Sequence, residues 1–366
     1  MKTDPERFIQ KTGHSFRFSA YLLIGHHFYC KYKYRRYDRE QESRKEKGMN
    51  PSEQKPKVYV DGQAGTTGLQ IISRLKSRDD LELLMLDDRL RHDTEARKAI
   101  MKKADLIFLC LPDQAAREAV SLCDPSTKII DASTAHRTDP DWAYGFCELS
   151  DSHKEAIEKA RLTANPGCHA SGFISLIYPL TASGLIAPEH SISAWSLTGY
   201  TGGGKKMIDE YENQKEFRHE APSAYGLSLS HKHIPEMMAV CSLKTKPLFV
   251  PIVDDYPQGM LVSVAFQKND FAEEMNADRL RRFYQDFYKD ALTIRVSDQA
   301  DPGRLEANRL AGSDLLEIHV NGSDDQILVS ALFDNLGKGA SGAAVENMNL
   351  MLGLEPAAGL NLEPSR

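Results

Sequence analysis

A cysteine stands where the chain turns into a helix, in the segment ANPGCHASGFISLIYPL. Cys168 follows a Pro-Gly pair and precedes Phe173, Ile177 and Leu180, which recur at helical spacing. We therefore expect Cys168 near a helix N-terminus, where free backbone N–H groups and the helix dipole favour the thiolate that attacks carbonyl carbons. A single cysteine is more often structural than catalytic, so nucleophilic catalysis requires a partner base.

Two histidines in the segment LSLSHKHIP could supply that base. In an extended strand, His231 and His233 would point the same way as Leu227 and Leu229, so both imidazoles could reach one site. The alternative is a pair of surface or metal-binding histidines. Two ligands without nearby acids or cysteines make a poor zinc site, and we predict no metal.

A glycine turn follows the first apolar run of the chain. Lys57–Asp61 reads as a buried strand, and it leads into Gly62, Gly65 and Gly68, after which apolar residues recur at helical spacing. Strand, glycine turn and helix together bind the pyrophosphate of a dinucleotide, because the glycines allow close approach and the helix start attracts its charge. The spacing differs from the commoner G-x-G-x-x-G, and a plain tight turn is the alternative.

Strands and helices alternate after this turn. Strands are predicted at Leu81–Leu86, Leu106–Leu111 and Lys128–Asp131, and helices at Asp93–Ala104 and Gln114–Cys123. Such repeated units predict an α/β fold, a Rossmann-type doubly wound parallel sheet.

The charged residues after the second predicted strand do not decide between NAD and NADP as the cofactor. Asp87 and Asp88 would suit the ribose diol of NAD, whereas Arg89, Arg91 and His92 would suit the extra phosphate of NADP. Each of them is also typical of an ordinary solvated loop.

The second half of the sequence predicts an α+β domain with a mainly antiparallel or mixed sheet. The predicted strands are Ser191–Leu197, Met260–Gln267, Leu292–Ser297, Leu315–Val320 and Gln326–Phe333. An amphipathic helix carries Leu280, Phe283 and Phe287 on one side, and Ser341–Leu352 is again helical.

Two further segments suit ligand binding. Ser133 and Arg137 follow a predicted strand, at the sheet edge where such folds bind ligands. The segment from Tyr200 to Lys205 is rich in glycine and ends beside a second lysine, which suits an anionic substrate; a hairpin with solvated lysines would look the same.

Composition limits the class of protein. Among 366 residues, 41% are hydrophobic and 27% charged, as in ordinary globular proteins. We predict no membrane span, because no apolar run approaches the required ~18 residues. Six scattered cysteines without a Cys-x-x-Cys pair fit a reducing cytoplasm.

The first 48 residues differ from the rest. They hold twelve Lys or Arg and six Asp or Glu, so the overall net charge of −6 leaves −12 for the remainder, which argues against a nucleic-acid partner. Residues 31–47 show neither helical nor strand periodicity. We expect a disordered extension over residues 1–54, with a nucleic-acid arm as the alternative, and translation starting at Met49 as a hypothesis.

The segments NPGCHASG, TGYTGGGK, HKHIPE and NLGKGASGAA occur in this order, and the chain closely resembles the shorter sequence type of the N-acetyl-γ-glutamyl-phosphate reductases of arginine biosynthesis. The resemblance runs from about Lys57 to Leu354. It implies an NADP-binding Rossmann domain over residues 55–166 and a catalytic and dimerisation domain over 167–337, like that of glyceraldehyde-3-phosphate dehydrogenase. A helix over 338–354 would return to the first domain.

The resemblance also implies roles for individual residues. Cys168 matches the nucleophile, and one of His231 and His233, unranked, matches the general acid/base. We assign cofactor binding to Gly62, Gly65, Thr66, Thr67, Gly68, Arg89, Ser133, Lys338 and Gly339. We assign substrate binding to Arg137, Asn165, Tyr200, Gly203 and Lys205.

The activity that the resemblance implies is reduction of an acyl phosphate by NADPH, with a thioester on Cys168 and release of phosphate. A homo-oligomer, dimer or tetramer, is expected. Two alternatives stay open: aspartate-semialdehyde dehydrogenase and a non-catalytic dinucleotide-binding protein.

Overall fold

The computed structural model describes residues 55–299 and 303–363. The extension predicted over residues 1–54, with the hypothetical start at Met49, lies outside the described residues. No helix among those described has the length and apolar character needed to cross a bilayer.

The first half of the described chain forms a six-stranded sheet in the order β2-β1-β3-β4-β6-β5, with every pair parallel. The strands are β1 Lys57–Asp61, β2 Glu82–Leu84, β3 Leu106–Leu109, β4 Lys128–Asp131, β5 Ala143–Tyr144 and β6 Leu162–Ala164. The central strands read as continuous apolar runs because both faces of the sheet are covered.

Helices α1 Thr66–Leu75, α2 Thr94–Met101, α3 Asp113–Leu122 and α4 Asp151–Lys159 connect these strands. On one face, Val58 and Phe108 pack in one apolar cluster with Ile71 of α1. On the other face, Ile107 packs with Met101 of α2. The sheet is therefore doubly wound, as predicted.

The second half forms a seven-stranded mixed sheet in the order β11-β12-β13-β10-β7-β9-β8. Its strands are β7 Ser193–Gly199, β8 Ser223–Ala224, β9 Leu248–Asp254, β10 Met260–Gln267, β11 Ile294–Val296, β12 Leu316–Gly322 and β13 Gln326–Phe333. The β7–β9 and β11–β12 pairs are parallel and the others antiparallel, which confirms the predicted α+β arrangement.

Helices α5 Cys168–Ala182, α6 Gly204–Glu212, α7 Ile234–Val240 and α8 Ala277–Phe287 belong to this half. Helix α5 is apolar almost throughout because it is buried against β10 and β13, where Gly172 leaves room for Val262 and Phe333. Helix α9 Gly342–Leu352 then packs Val345 and Met348 into the apolar cluster of the first sheet.

Element boundaries differ from those predicted by a few residues. The second strand covers Glu82–Leu84 and the third ends at Leu109, because the residues that follow turn toward the loops. A π-helical turn, Gly337–Ser341, precedes α9, where the sequence predicted a helix beginning at Ser341. Strands β5, β6, β8 and β9 were not predicted.

The strand predicted through His231 and His233 is wrong. Gly226 and Leu229 have positive φ angles of 61° and 53°, so the chain turns there instead of extending. His233 then caps the N-terminus of α7, with Pro235 in the first turn, where its missing N–H costs nothing.

Candidate active site

Cys168 is the first residue of α5, and Gly167 is the N-cap. Its side chain lines a cavity of about 320 Å³. Gly339 of the π-helical turn lies against it, since a Cβ added to Gly339 would come within 3.0 Å of the Cys168 Cβ. The nucleophile candidate is thus held between the start of α5 and the turn that leads into α9.

The protonation of Cys168 differs from the sequence-based expectation. Burial raises the pKa of the Cys168 thiol, and this outweighs the Arg137 guanidinium, the His169 backbone N–H and the Lys232 ammonium, which act in the opposite direction. The N-terminus of α5 therefore does not hold a resting thiolate by itself. Deprotonation requires a base in the cavity.

Three imidazoles cluster in the cavity that Cys168 lines. The ring centroids of His231 and His233 are 4.7 Å apart, and His169 lies 5.1 Å and 5.7 Å from them. Burial lowers the pKa of all three, to about 4 for His231 and about 3 for His169. All three rings are therefore neutral at pH 7 and able to accept a proton only transiently.

The three rings are not equivalent. Both ring nitrogens of His169 are hydrogen-bonded, Nδ1 to Ser196 Oγ and Nε2 to Tyr225 Oη, each at 2.7 Å. His231 Nδ1 accepts the backbone N–H of His233 at 3.2 Å. The His233 ring packs on Gly167, and its Nδ1 is buried without a hydrogen-bond partner in the described residues. His233 thus differs from the other two rings in two respects. It contacts Gly167, the residue before Cys168, and its Nδ1 has no hydrogen-bond partner among the described residues.

A buried ion pair supports the turn before Cys168. Arg137 donates to Glu236 Oε1 at 2.8 Å, and the two side chains are only 8% and 2% exposed. Glu236 Oε2 accepts the backbone N–H of Gly167 at 3.1 Å and the hydroxyl of Tyr144 at 2.9 Å. Glu236 was missed as a site residue from the sequence, although it ends the motif HKHIPE.

Lys232 is a second residue that was not predicted. It lies between the two histidines, is exposed and lines the cavity. Its ammonium acts to lower the pKa of both the Cys168 thiol and the Asp113 carboxyl, and because the side chain is exposed it lies at the mouth of the cavity. Its position between His231 and His233 in the sequence could have identified it as a candidate site residue.

The glycine turn forms a second part of the site. Gly62 has a φ of +89°, and a Cβ there would lie 2.2 Å from the Cys110 carbonyl oxygen, so only glycine fits. A Cβ at Gly68 would meet the Gly62 carbonyl oxygen at 2.4 Å. Helix α1 begins directly after Gly65 with no side-chain cap and no acidic residue in its first turn. Its free N–H groups suit an anion.

Three cavities join into one groove. A cavity of about 420 Å³ is lined by Gly62, Gly65, Arg91 and His92, and it shares Gly65 and Lys205 with a middle cavity of about 300 Å³. The middle cavity shares further residues of the α1 N-terminus with the cavity of Cys168. The groove is therefore continuous from the end of β2 to the thiol.

Most of the residues predicted from the sequence lie in this groove. The Cys168 cavity is lined by Thr66, Thr67, Arg137, Asn165, Gly203, His231, His233 and Gly339. The Asn165 side chain is already bound, donating to the Ala340 carbonyl at 3.0 Å and accepting from Asn347 at 3.1 Å. Lys205, predicted to bind substrate, lines the other two cavities instead.

Several predicted residues make other contacts. Arg89 is exposed and pairs with Asp87 at 2.6 Å, outside the cavity that Arg91 lines. Ser133 donates to Asp131 at 2.7 Å. Tyr200 stacks on Tyr211 with ring centroids 4.9 Å apart.

Lys338 is also placed differently from the prediction. Its ammonium is buried between Glu148 at 2.6 Å and Glu346 at 2.7 Å, and it lines none of the three cavities. Burial by itself favours the neutral form of a lysine. The two carboxylates compensate for this and keep Lys338 charged. Cys147, Glu148 and Glu346 form the one group of possible metal ligands among the described residues, and the ammonium lies there.

Family models match both halves of the chain. Residues 168–335 match the semialdehyde dehydrogenase dimerisation domain, and residues 86–160 match the semialdehyde dehydrogenase NAD binding domain. Residues 86–160 contain β3, β4 and β5 of the first sheet, so this sheet, whose strand β1 leads into the glycine turn, belongs to an NAD(P)-binding half.

Solved structures share the fold. Aspartate semialdehyde dehydrogenase II from Vibrio cholerae, complexed with ASA, aligns with a TM-score of 0.62 at 16% identity, covering 82% of this chain and 99% of that one. A probable aspartate-semialdehyde dehydrogenase from Pseudomonas aeruginosa aligns with the same TM-score at 17% identity and the same coverage.

Curated relatives are much more similar in sequence. The N-acetyl-γ-glutamyl-phosphate reductases of Brucella anthropi and Brucella ovis are each 44% identical over 308 residues, which is 82% of this chain and 99% of each relative. Taken with the glycine turn and the cysteine-histidine cavity, this similarity establishes that the chain belongs to the N-acetyl-γ-glutamyl-phosphate reductase family.

Proposed function

We propose that the protein reduces N-acetyl-γ-glutamyl phosphate to N-acetylglutamate 5-semialdehyde with NADPH, releasing phosphate, as a step of arginine biosynthesis. The observation that carries this proposal is the continuous groove from the glycine turn to Cys168. It fits an extended dinucleotide whose reactive ring ends beside a thiol, and the relatives named for this reaction cover almost all of the described chain.

NADPH fits the far end of the groove better than NADH. Arg91 and His92 line the cavity beyond β2, whereas Asp87 is occupied by Arg89 and the Asp88 carboxylate accepts from Gln63 at 2.9 Å. A ribose 2′-phosphate would meet cations there, and the carboxylates that would bind a free diol already have partners. We therefore assign phosphate binding to Arg91 in place of Arg89.

Cys168 is the proposed nucleophile. After transfer of its proton to a base, the sulfur attacks the acyl carbon, a C–S bond forms, and the C–O bond to phosphate breaks. A dinucleotide held at the glycine turn and the start of α1 would supply the hydride that reduces the resulting thioester, and departure of the thiolate would then yield the aldehyde. The N–H groups at the start of α5 stabilise the oxyanion formed at each stage.

We assign the general acid/base to His233. Its ring lies against Gly167, it is neutral at pH 7, and its buried Nδ1 has no hydrogen-bond partner among the described residues. It can take the proton of Cys168 and return one to the departing group. His231 holds the backbone of His233 in place through its Nδ1.

Positive charge at the cavity suits an anionic substrate. Lys232 at the mouth is the proposed phosphate ligand, and Arg137, which still has N–H groups beyond its three protein hydrogen bonds, is the proposed partner of a substrate carboxylate. Gly203 forms part of the cavity wall. Asn165 positions the turn at Ala340 and does not need to touch substrate.

The protein is proposed to act as a homo-oligomer, a dimer or tetramer, in the cytoplasm. The second half matches a dimerisation domain. Trp195 and Val250, paired across β7 and β9, and Leu197 and Ile252, paired likewise, stay half-exposed on one face of the second sheet. An apolar sheet face of this kind suits an interface between two copies.

The reverse reaction tests the activity. N-acetylglutamate semialdehyde plus phosphate should reduce NADP, as measured at 340 nm, and Cys168→Ser should lose at least about a thousandfold in rate while still binding NADPH. Aspartate semialdehyde as the preferred substrate would instead support the rival dehydrogenase. Full function of the Cys168→Ser protein would support a non-catalytic dinucleotide-binding protein.

A further inference from the structure

Lys205 lies at the junction of the two halves of the chain. It is the second residue of α6, in the catalytic half, yet it lines the two cavities formed with the glycine turn of the NAD(P)-binding half. It does not line the cavity of Cys168, where a ligand of the substrate would have to be. Its position therefore indicates a role toward the cofactor.

The middle cavity has a simple chemical character. Its walls are Gly65, Thr66 and Thr67 at the start of α1, Gly204 and Lys205 at the start of α6, and three uncharged residues. Lys205 is the single charged side chain among these. A ligand group seated here would meet the free N–H groups of α1 on one side and an ammonium on the other.

The Lys205 ammonium is available to such a ligand. Within residues 55–299 and 303–363 it makes no ion pair, whereas the next residue, Lys206, points to Glu210 at 3.8 Å. The first turn of α6 has no acidic residue, so no carboxylate of that turn offsets Lys205. A cation at a helix N-terminus is unfavourable because it repels the positive end of the helix dipole. An anion bound between the Lys205 ammonium and the N-terminus of α6 would reduce this repulsion.

We infer that Lys205 binds the pyrophosphate of the dinucleotide, opposite the N-terminus of α1. This inference rests on the proposed cofactor function of the groove, and it replaces the substrate-binding role predicted from the sequence. The glycine turn supplies only N–H groups to the phosphates, and Lys205 adds a full charge from the other half of the chain.

One consequence concerns the order of binding. Gly203 and Gly204, directly before Lys205, line the cavity of Cys168. When the pyrophosphate holds Lys205, it also fixes this wall of the substrate cavity. Cofactor binding should therefore strengthen substrate binding, and substrate binding should strengthen cofactor binding by the same factor.

The test measures binding of cofactor fragments by isothermal titration calorimetry, without turnover. ADP-ribose contains the pyrophosphate and adenosine 2′-monophosphate does not. Lys205→Met should weaken binding of NADPH and ADP-ribose by about tenfold to a hundredfold, the effect of losing one charged hydrogen bond, and leave adenosine 2′-monophosphate unchanged. Lys206→Met is the matched control and should leave all three affinities unchanged. Lys205→Arg should recover most of the affinity.

The inference is overturned if Lys205→Met binds ADP-ribose as the unaltered protein does, or if it loses adenosine 2′-monophosphate to the same extent. A raised KM for the acyl phosphate with unchanged ADP-ribose affinity would return Lys205 to the substrate. If the unaltered protein preferred NADH, only the proposed preference for NADPH would be refuted. The Lys205 result would still stand, since both dinucleotides carry the same pyrophosphate.

Discussion

The carboxylate of Glu236 accepts the backbone N–H of Gly167, the residue before the thiol, at 3.1 Å. Glu236 belongs to α7, whose N-cap is His233, and it also binds Arg137. One buried side chain thus fixes both the turn that presents Cys168 and the helix that presents the proposed base.

Replacing this carboxylate should destabilise the protein. Glu236→Ala leaves the Arg137 guanidinium buried without its partner, and we expect a loss of about 3–5 kcal/mol in the free energy of unfolding, measured by urea denaturation. The matched control is Glu155→Ala, which breaks the exposed pair with Lys159 and should cost less than about 0.5 kcal/mol. Equal effects of the two substitutions would contradict this account.

Substitutions of His231 and His233 should differ in their effects on kinetics. His233→Asn removes the proposed acid/base and should lower kcat by about 10²- to 10⁴-fold. His231→Asn keeps an acceptor for the His233 backbone N–H and should cost about tenfold or less. The measurement is steady-state kinetics over a pH series, and the opposite order of effects would transfer the role to His231.

Thiol alkylation should report the raised pKa of Cys168. The thiolate is the reactive form, so a pKa above the ordinary value means little thiolate at neutral pH and a rate of iodoacetamide labelling that rises as the pH approaches that pKa. Arg137→Met removes a charge that favours the thiolate and should shift the profile to higher pH. Cys241, fully buried and with its own pKa raised by burial, should stay unlabelled in the folded protein, as mass spectrometry can verify. A labelling rate independent of pH between 6 and 9 would refute the assignment.

Cofactor choice should depend on Arg91 and not on Arg89. Arg91→Ala removes a cation from the groove and should weaken NADPH binding by about tenfold to a hundredfold with little effect on NADH. Arg89→Ala, two residues away and paired with exposed Asp87, serves as the control and should change neither affinity. Fluorescence titration with both dinucleotides distinguishes these outcomes, and a larger effect at Arg89 would restore the prediction made from the sequence.

The sequence predicted those parts of the site that depend on local patterns. The glycine turn and the helix after Cys168 follow from short-range spacing, so both were found. The strand through His231 was wrong because the positive φ angles at Gly226 and Leu229 leave no periodic signal, and leucine rarely adopts such an angle.

Long-range contacts could not be inferred in this way. Lys338 precedes a run of small residues, and nothing near it in sequence shows that Glu148, 190 residues earlier, holds its ammonium. The pairing of Arg137 with Glu236 likewise joins residues 99 apart. Local sequence patterns also could not show that Lys205 lines the same cavities as the glycine turn, because more than 130 residues separate the two segments.

The π-helical turn Gly337–Ser341 is the place where the chain leaves the second sheet and returns to the first, and Gly339 within it touches Cys168. A side chain at position 339 would press on the Cβ of Cys168 from this crossover. The connection between the two sheets therefore also forms part of the surroundings of the thiol, and it has room for glycine alone at that point.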